Sequence, residues 1–400
     1  MRAFFERTLG INAAGVAVLL AIFLTGVGEQ LWEPLFPQYL MDKYFQALIP
    51  ALFAIGIYSA VKNFLEGIWY LSGGRLSQRL GARASLILFG MGPIVGYVLF
   101  LAGNSPIFAI AGTVMILTWE PLTVPATFAI LGEKKKSMAF VLASIQKRLP
   151  KIVGPLAGTL AVGAFGVVKG LEGAVAVALG AAVLALVVQA WLVTPGKPRA
   201  PVGGVFAVLR EMNPRLHKFL AAEALTRWGD WLVRDFVVIY FTTALLHEPG
   251  QFGYFVSVQM ATSLLIYLPA GAIADRGNRR LLITLTYFFF AAFPLALGFA
   301  SSGPLLFAAF VVYGLREIGE PTRKAVVTAL MPEGRKSEGV GVYWGLRAFA
   351  ISPAPIAGAL IWTYWGPQTL MWFATGFGAL GLLVFAWASR GLDAEVSHQG

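Results

Sequence analysis

Stretch after stretch of this chain is apolar for about 20 residues or more, long enough to cross a hydrocarbon core of roughly 30 Å at 1.5 Å per helical residue. A membrane-spanning β-strand needs only about 10 residues of alternating polarity, whereas residues 174–192 are apolar on every face, so helices rather than an outer-membrane barrel are indicated. Composition agrees: 58% of the 400 residues are hydrophobic and 13% charged, with a mean hydropathy of +0.72. Soluble domains average about 45–50% and about 25%. A water-soluble fold could not cover so much apolar surface.

Apolar runs interrupted by Gly, Pro and charge clusters predict twelve membrane helices at 13–37, 50–72, 84–103, 106–131, 139–166 and 172–194, then 217–246, 252–273, 281–301, 304–331, 339–364 and 367–389. The expected fold is an all-α membrane protein with twelve transmembrane helices in two pseudo-symmetric six-helix bundles. The expected division is an amino-terminal bundle over 1–194, a hydrophilic linker over 195–216 with Lys197, Arg199, Arg210 and Arg215, and a carboxy-terminal bundle over 217–400. The opening, with Arg2 and Arg7 before an apolar run, has the look of a secretory signal. That run is too long, ends in Gly28-Glu29 without a cleavage pattern and has a counterpart in the second half, so it reads as the first membrane helix.

Assigning loops alternately to the two sides gathers Arg75, Arg79, Arg83, Lys134, Lys135, Lys136, Arg276, Arg279, Arg280, Arg335, Lys336 and Arg390 on the side of the termini and linker. Little more than Lys43 and Lys169 is left opposite. The positive-inside bias then places both termini and the linker in the cytoplasm of a multi-pass protein of the cell membrane. The same bias accounts for the net charge of +11 without a nucleic-acid partner. Zero cysteines exclude disulfides and thiolate metal sites, and the histidines, His217, His247 and His398, are far apart, so no cofactor and no metal is expected.

The second half repeats the first at an offset of 200 residues. Glu120-Pro121 faces Glu320-Pro321, Lys147 faces Arg347, and Pro155, Ala157 and Gly158 face Pro355, Ala357 and Gly358; near the start of each half, Gly28-Glu29 and Tyr39 match Gly229-Asp230 and Tyr240 at 201. Parallel repeats of this kind are the mark of two similar bundles. Two loops strengthen the parallel: one runs from Gly74 through Gln78 and Arg79 to Arg83, the other from Gly271 through Asp275 and Arg276 to Arg280.

These residues resemble the major facilitator superfamily, over nearly the whole chain. Both loops look like the family's signature loop, in which a glycine allows close helix packing and an acid and basic residues latch adjacent helices. Gln78 stands where the acid is expected, so only the second copy has its acid, Asp275. Gly154-Pro155-Leu-Ala-Gly158 is similar to the end of the motif of drug:proton antiporters; the same residues equally suit a kink with close packing. The resemblance implies that the first, fourth, seventh and tenth helices line a central path.

Those four helices hold most of the ionisable residues that lie within the apolar runs. A charge at mid-bilayer costs at least about 2.5–3.5 kcal/mol, so each is a functional candidate. Lys62/Glu66, Glu223/Arg227, Asp230/Arg234 and Arg316/Glu320 are spaced to pair along one helix. Glu120 with Lys147 and Glu320 with Arg347, at repeat-equivalent places, are expected as symmetric gating or bracing ion pairs. Glu29 and Glu33 lie one turn apart on a helix with no basic residue, which makes them the leading proton-coupling candidates, ahead of Asp230, Asp235 and Glu317. Substrate contacts are expected from Trp32, Glu120, Arg227, Arg234, Arg316, Tyr343 and Trp344.

The expected function is secondary-active transport, with proton-coupled efflux of a small amphiphilic or drug-like compound by alternating access. The alternatives are an importer or uniporter of a polar or anionic metabolite, and a lipid flippase. No nucleophile–base or metal-ligand spacing suggests an enzyme. Expected partners are a small-molecule substrate, protons and membrane lipid, with the chain a monomer.

Overall fold

The computed structural model describes residues 13–117, 119, 122, 137–193, 205–275, 278–331, 336–390 and 392. No strand occurs among them, as the all-α expectation requires. By length and composition, six of the described helical stretches suit a membrane crossing, Gly15–Phe45 and Glu338–Ala388 among them. Large apolar side chains such as Ile107, Phe165, Trp191 and Leu265 point outward and are 68–84% exposed, which suits lipid rather than water.

The chain forms two compact units. One comprises Met1–Gln46 and Ile68–Val202, the other Ala47–Gly67 and Gly203–Gly400. In the first unit α1 (Ala13–Gln30) gives way to a 3-10 turn over Glu33–Leu35 and a short α2 (Phe36–Leu40). The helix α3 (Leu48–Leu80) contributes its first part to the second unit and its last part to the first. Next come α4 (Ala82–Ala102), α5 (Pro106–Leu117), α6 (Ser137–Phe165) and α7 (Val167–Leu192).

In the second unit α8 (Val205–Glu211) precedes α9 (Pro214–Val233), which breaks into a 3-10 turn over Arg234–Phe236 before α10 (Val237–Thr243). Then follow α11 (Phe252–Asp275), α12 (Arg279–Gly298), α13 (Gly303–Leu315), α14 (Glu320–Ala329), α15 (Lys336–Ile351) and α16 (Ala354–Ala388). At Gly366 φ is 84°, so α16 is two helices joined at a sharp turn, and the repeat-equivalent Gly166 between α6 and α7 has φ 78°. With ψ near 170° this conformation is open only to glycine.

Both units therefore interrupt their first long helix at the same place in the repeat, Glu33–Leu35 in one and Arg234–Phe236 in the other. Pro34 and Pro37 explain the first break, since neither can donate the amide that an unbroken helix requires. Each break is packed by a glycine. Gly158 of α6 lies so close to the Leu31 carbonyl oxygen, and Gly358 of α16 to that of Leu232, that a Cβ at either would overlap the oxygen. Close packing, one of the two readings of the Gly154–Gly158 motif, is what these contacts support.

Aromatic rings fill both cores. Trp32, Phe36, Tyr39 and Phe100 are fully buried against one another in the first unit, and Phe293 stacks on Tyr313 at 3.7 Å in the second. Two arginines of the signature loops close the units at equivalent ends. Arg83, on α4, donates to the Ala190 carbonyl of α7 at 2.7 Å, and Arg280, on α12, donates to the Ala386 carbonyl of α16 at 3.2 Å and to Ser389 Oγ at 3.1 Å. A cation on the last carbonyls of a helix complements its dipole. Arg83→Ala or Arg280→Ala should each cost about 1 kcal/mol, and a thermal melt of the purified variants in detergent that moves by no more than the scatter would remove the latch. Arg79 is exposed, while the side chains of Gly74, Gln78, Gly271 and Asp275, together with Arg276, lie outside the described residues.

Candidate functional site

The second unit concentrates its charges where α9, α13, α14 and α15 meet. Glu223, on α9 and 1% exposed, accepts hydrogen bonds from Tyr343 Oη and Arg347 Nη1 of α15, each at 2.8 Å, and faces Arg323 Nη1 of α14 at 2.5 Å. Arg323 also grips Glu320 with two donors, Nη2 at 2.7 Å and Nε at 3.0 Å, so one guanidinium bridges two carboxylates. Arg227 reaches Glu320 at 3.5 Å and Asp230 at 3.7 Å. Asp230 in turn meets Arg316 Nη1 at 2.5 Å and Arg234 at 3.8 Å. Glu317 accepts from Tyr267 Oη at 3.1 Å and lies 3.8 Å from Arg316 Nε.

Apolar surfaces complete this network. The Arg316 guanidinium lies 3.9 Å from the Tyr313 ring centroid, and that of Arg227 lies 4.4 Å from the Phe290 ring. Guanidinium tolerates this sandwich because it is planar and weakly hydrated. With its groups nearly all buried and each of Glu223, Asp230, Glu317 and Glu320 facing a guanidinium, the cluster binds four helices together.

The pairing differs from the expected one. Arg347 is held by Glu223, and Glu320 by Arg323, Arg227 and Lys324, so the expected direct pair between Glu320 and Arg347 is replaced by a relay through Arg323 and Glu223. Arg316 and Glu320 do not share a helical face, because the turn over residues 316–319 separates α13 from α14 and destroys the one-turn register. Of the same-helix pairs, Asp230 with Arg234 is formed, at 3.8 Å. Lys62 is seated over the rings of Tyr58 and Trp231, at 5.3 Å and 4.8 Å, instead of on Glu66. The twin pair in the first half rests on Glu120 and the Lys147 side chain, which lie outside the described residues.

In the first unit the structure brings Glu29 and Glu33 to one donor. Gln30 Nε2 is 3.4 Å from Glu29 Oε1 and 3.3 Å from Glu33 Oε2, and Trp119 Nε1 donates to Glu29 Oε2 at 3.3 Å. Both carboxylates are half-buried at the break between α1 and α2, and Gln30 is buried. The Gln30 amide thus spans the two carboxylates, and an amide N–H can donate to a carboxyl group whether or not that group is ionised.

Two expected substrate contacts are placed elsewhere. Trp32 is fully buried between Phe36, Tyr97 and Phe100, and the Tyr343 ring is fully buried with its hydroxyl on Glu223, so both belong to the core. Trp344 is half-buried with Lys324 5.9 Å from its ring, and Asp235 sits half-buried in the 3-10 turn. Sequence reasoning passed over Gln30, Glu223 as the hub, and Lys43, whose ammonium bonds Glu172 at 2.6 Å and Tyr39 Oη at 2.9 Å. Glu223 carried a signal, being an acid inside a predicted membrane helix with Arg227 one turn on. Gln30 carried none beyond its place between two acids.

Residues 219–399 match the family model described as Major Facilitator Superfamily. Among characterised proteins, the Na(+), Li(+), K(+)/H(+) antiporter of Planococcus maritimus is 27% identical over 194 residues, 47% of this chain and 45% of that protein, so the likeness spans less than half of the relative's length. Among solved structures, the human organic anion transporter MFSD10 (TETRAN) aligns with a TM-score of 0.66 at 18% identity, covering 93% of this chain and 99% of that one. A POT family transporter in complex with 5-aminolevulinic acid aligns at 0.75 and 13% identity, covering 99% and 98%. The nucleoside transporter NupG aligns at 0.77 and 11%, covering 94% and 99%. At such identities the structural likeness speaks for the fold alone.

Proposed function

We propose, from the match of residues 219–399 to the Major Facilitator Superfamily model and the likeness of the fold to solved transporters, that the chain is a secondary-active transporter of that superfamily in the cell membrane, coupling efflux of a small amphiphilic compound to proton entry by alternating access. The observation that carries the coupling is the carboxylate pair Glu29 and Glu33, held by the single amide of Gln30 where α1 breaks. A proton taken by either acid leaves Gln30 still able to donate to the other, with Trp119 remaining on Glu29, so loading and release need little rearrangement. Charged groups of the second unit are a poorer place for the proton. Asp230 faces Arg227, Arg234 and Arg316, the surroundings of a structural counter-ion. The antiporter named among the relatives supports the exchange of a cation for a proton, over the matched part of the chain. Both termini face the cytoplasm in this reading, and the protein acts as a monomer.

Proteoliposomes holding a pH-sensitive dye test it. Addition of an aromatic compound, ethidium and phenyl phosphate in separate arms with Na+ in a third, should dissipate an imposed pH gradient in at least one arm, and Glu33→Gln or Glu29→Gln should reduce that response at least tenfold while the melting temperature stays near that of the parent. Flux indifferent to the gradient in every arm, or a doubly substituted protein that still couples, would remove the proton from the cycle.

A further inference from the structure

The first part of α3 carries a buried cation unlike the others in its unit. Arg227, Arg316, Arg323 and Arg347 each face a carboxylate, whereas the Lys62 side chain, 4% exposed, has the faces of Tyr58 and Trp231. Ring faces offset only part of the desolvation of an ammonium group. A second cation meets the same indole: Arg234, in the 3-10 turn after α9, has its guanidinium carbon 4.7 Å from the Trp231 ring and remains 34% exposed.

Two further polar side chains flank Lys62 on α3. Ser59, three residues before it, shares its helical face, and Asn63, directly after it, is about 100° round the helix but one turn above Ser59; they are 0% and 1% exposed. Neither Ser59 Oγ nor either amide atom of Asn63 has a hydrogen-bond partner among the described residues. Buried hydroxyl and amide groups are nearly always satisfied, so a set left open beside a buried ammonium needs an occupant. Glu66, one turn further along the face, makes contacts of its own. An ammonium, a hydroxyl, a carboxamide and a guanidinium form a donor set that matches an oxyanion.

We propose that Lys62, with the unsatisfied Ser59 and Asn63 beside it on α3 and Arg234 at the Trp231 ring, binds an anionic group, a carboxylate or a phosphate ester, of the compound this protein carries. The proposal deepens the transporter reading by giving the substrate a negative group, and it rests on that reading. The remainder of such a substrate is apolar or aromatic, since beyond its two cations Trp231 packs with Ile351, Ala354 and Trp228.

Binding of 1-naphthoate and phenyl phosphate to the purified full-length protein, followed by melting temperature and tryptophan fluorescence, tests this, with 1-naphthylmethylammonium as the cationic counterpart. The anions should stabilise the parent protein, and Lys62→Met should weaken them at least tenfold without harming the empty fold. Asn63→Ala should weaken them severalfold, and Lys62→Glu should reverse the preference towards the ammonium probe. The proposal fails if neither anion binds the parent, if parent, Lys62→Met and Lys62→Glu bind alike, or if Lys62→Met does not fold, because a cation awaiting a ligand is not required by the empty protein. Equilibrium binding needs no coupling, so anion binding without proton-linked flux would sink the antiport reading and leave this one standing.

Discussion

Glu223→Gln should lower the melting temperature of the purified protein by on the order of ten degrees, the equivalent of about 3–5 kcal/mol for breaking a buried ion pair from one side. The carboxylate is 1% exposed and serves three groups at once, Tyr343, Arg347 and Arg323. A neutral amide would leave Arg323 and Arg347 against a group that also donates, so both guanidiniums lose the charge of Glu223 while their side chains stay only 4% and 16% exposed. Because Arg323 retains Glu320, the loss should fall mostly on Arg347, and Glu223→Gln combined with Arg347→Gln should recover part of the deficit. A melt for the single variant within a degree of the parent would mean that the cluster contributes little to holding α9, α14 and α15 together. Failure of the double variant to improve on the single would place the cost at Arg323 instead.

Gly158→Val and Gly358→Val should each destabilise by about 3 kcal/mol or more, the upper end of overpacking costs. Backbone oxygens lie in the way, those of Leu31 and Leu232, and a carbonyl cannot rotate aside as the end of a side chain can. The two substitutions sit at equivalent places of the repeat, so their effects should be similar in size and additive, since each lies in its own unit. Separate melts of the two single variants and the double would check this. A tolerated valine at either site would show that the break beside it is free to move away, and a difference of several kcal/mol between the two would end the equivalence of the repeats.

Much of the fold was legible in the residues. Runs of about 20 apolar residues leave a chain no stable arrangement but helices, since lipid satisfies no backbone group. The offset of 200 residues announced that Gly158 and Gly358 have the same task, and the structure gives them the same contact. The aligned acids Glu29 and Asp230 nonetheless differ in contacts: Glu29 accepts from Gln30 and Trp119, whereas Asp230 faces three guanidiniums. A repeat conserves the path of the backbone, while the charge at each position is set by whichever side chains the neighbouring helices bring.

Pairing was the least legible part. Spacing of four residues describes neighbours on an unbroken helix, and it was right for Asp230 with Arg234. It was misleading for Arg316 with Glu320, where the backbone turns between them, and for Lys62 with Glu66, where two aromatic rings occupy the ammonium. Trp32 was read as a substrate contact for its aromatic face, yet it stands one residue from Glu33, and one residue along a helix is a turn of about 100°. Those 100° are the difference between the proton pair and the aromatic core.

The sequence by itself determined that this chain is a duplicated helical membrane protein and which residues are too costly to leave in lipid alone, because both follow from the free energy of placing each side chain and each peptide group in hydrocarbon. Only the tertiary structure decided that Glu223 is the hub of the buried charges, that Gln30 joins the two acids and that Lys62 lies against Trp231. Each of those contacts depends on how the helices are rotated about their axes and where they break, and a sum of many weak packing terms between distant segments sets both.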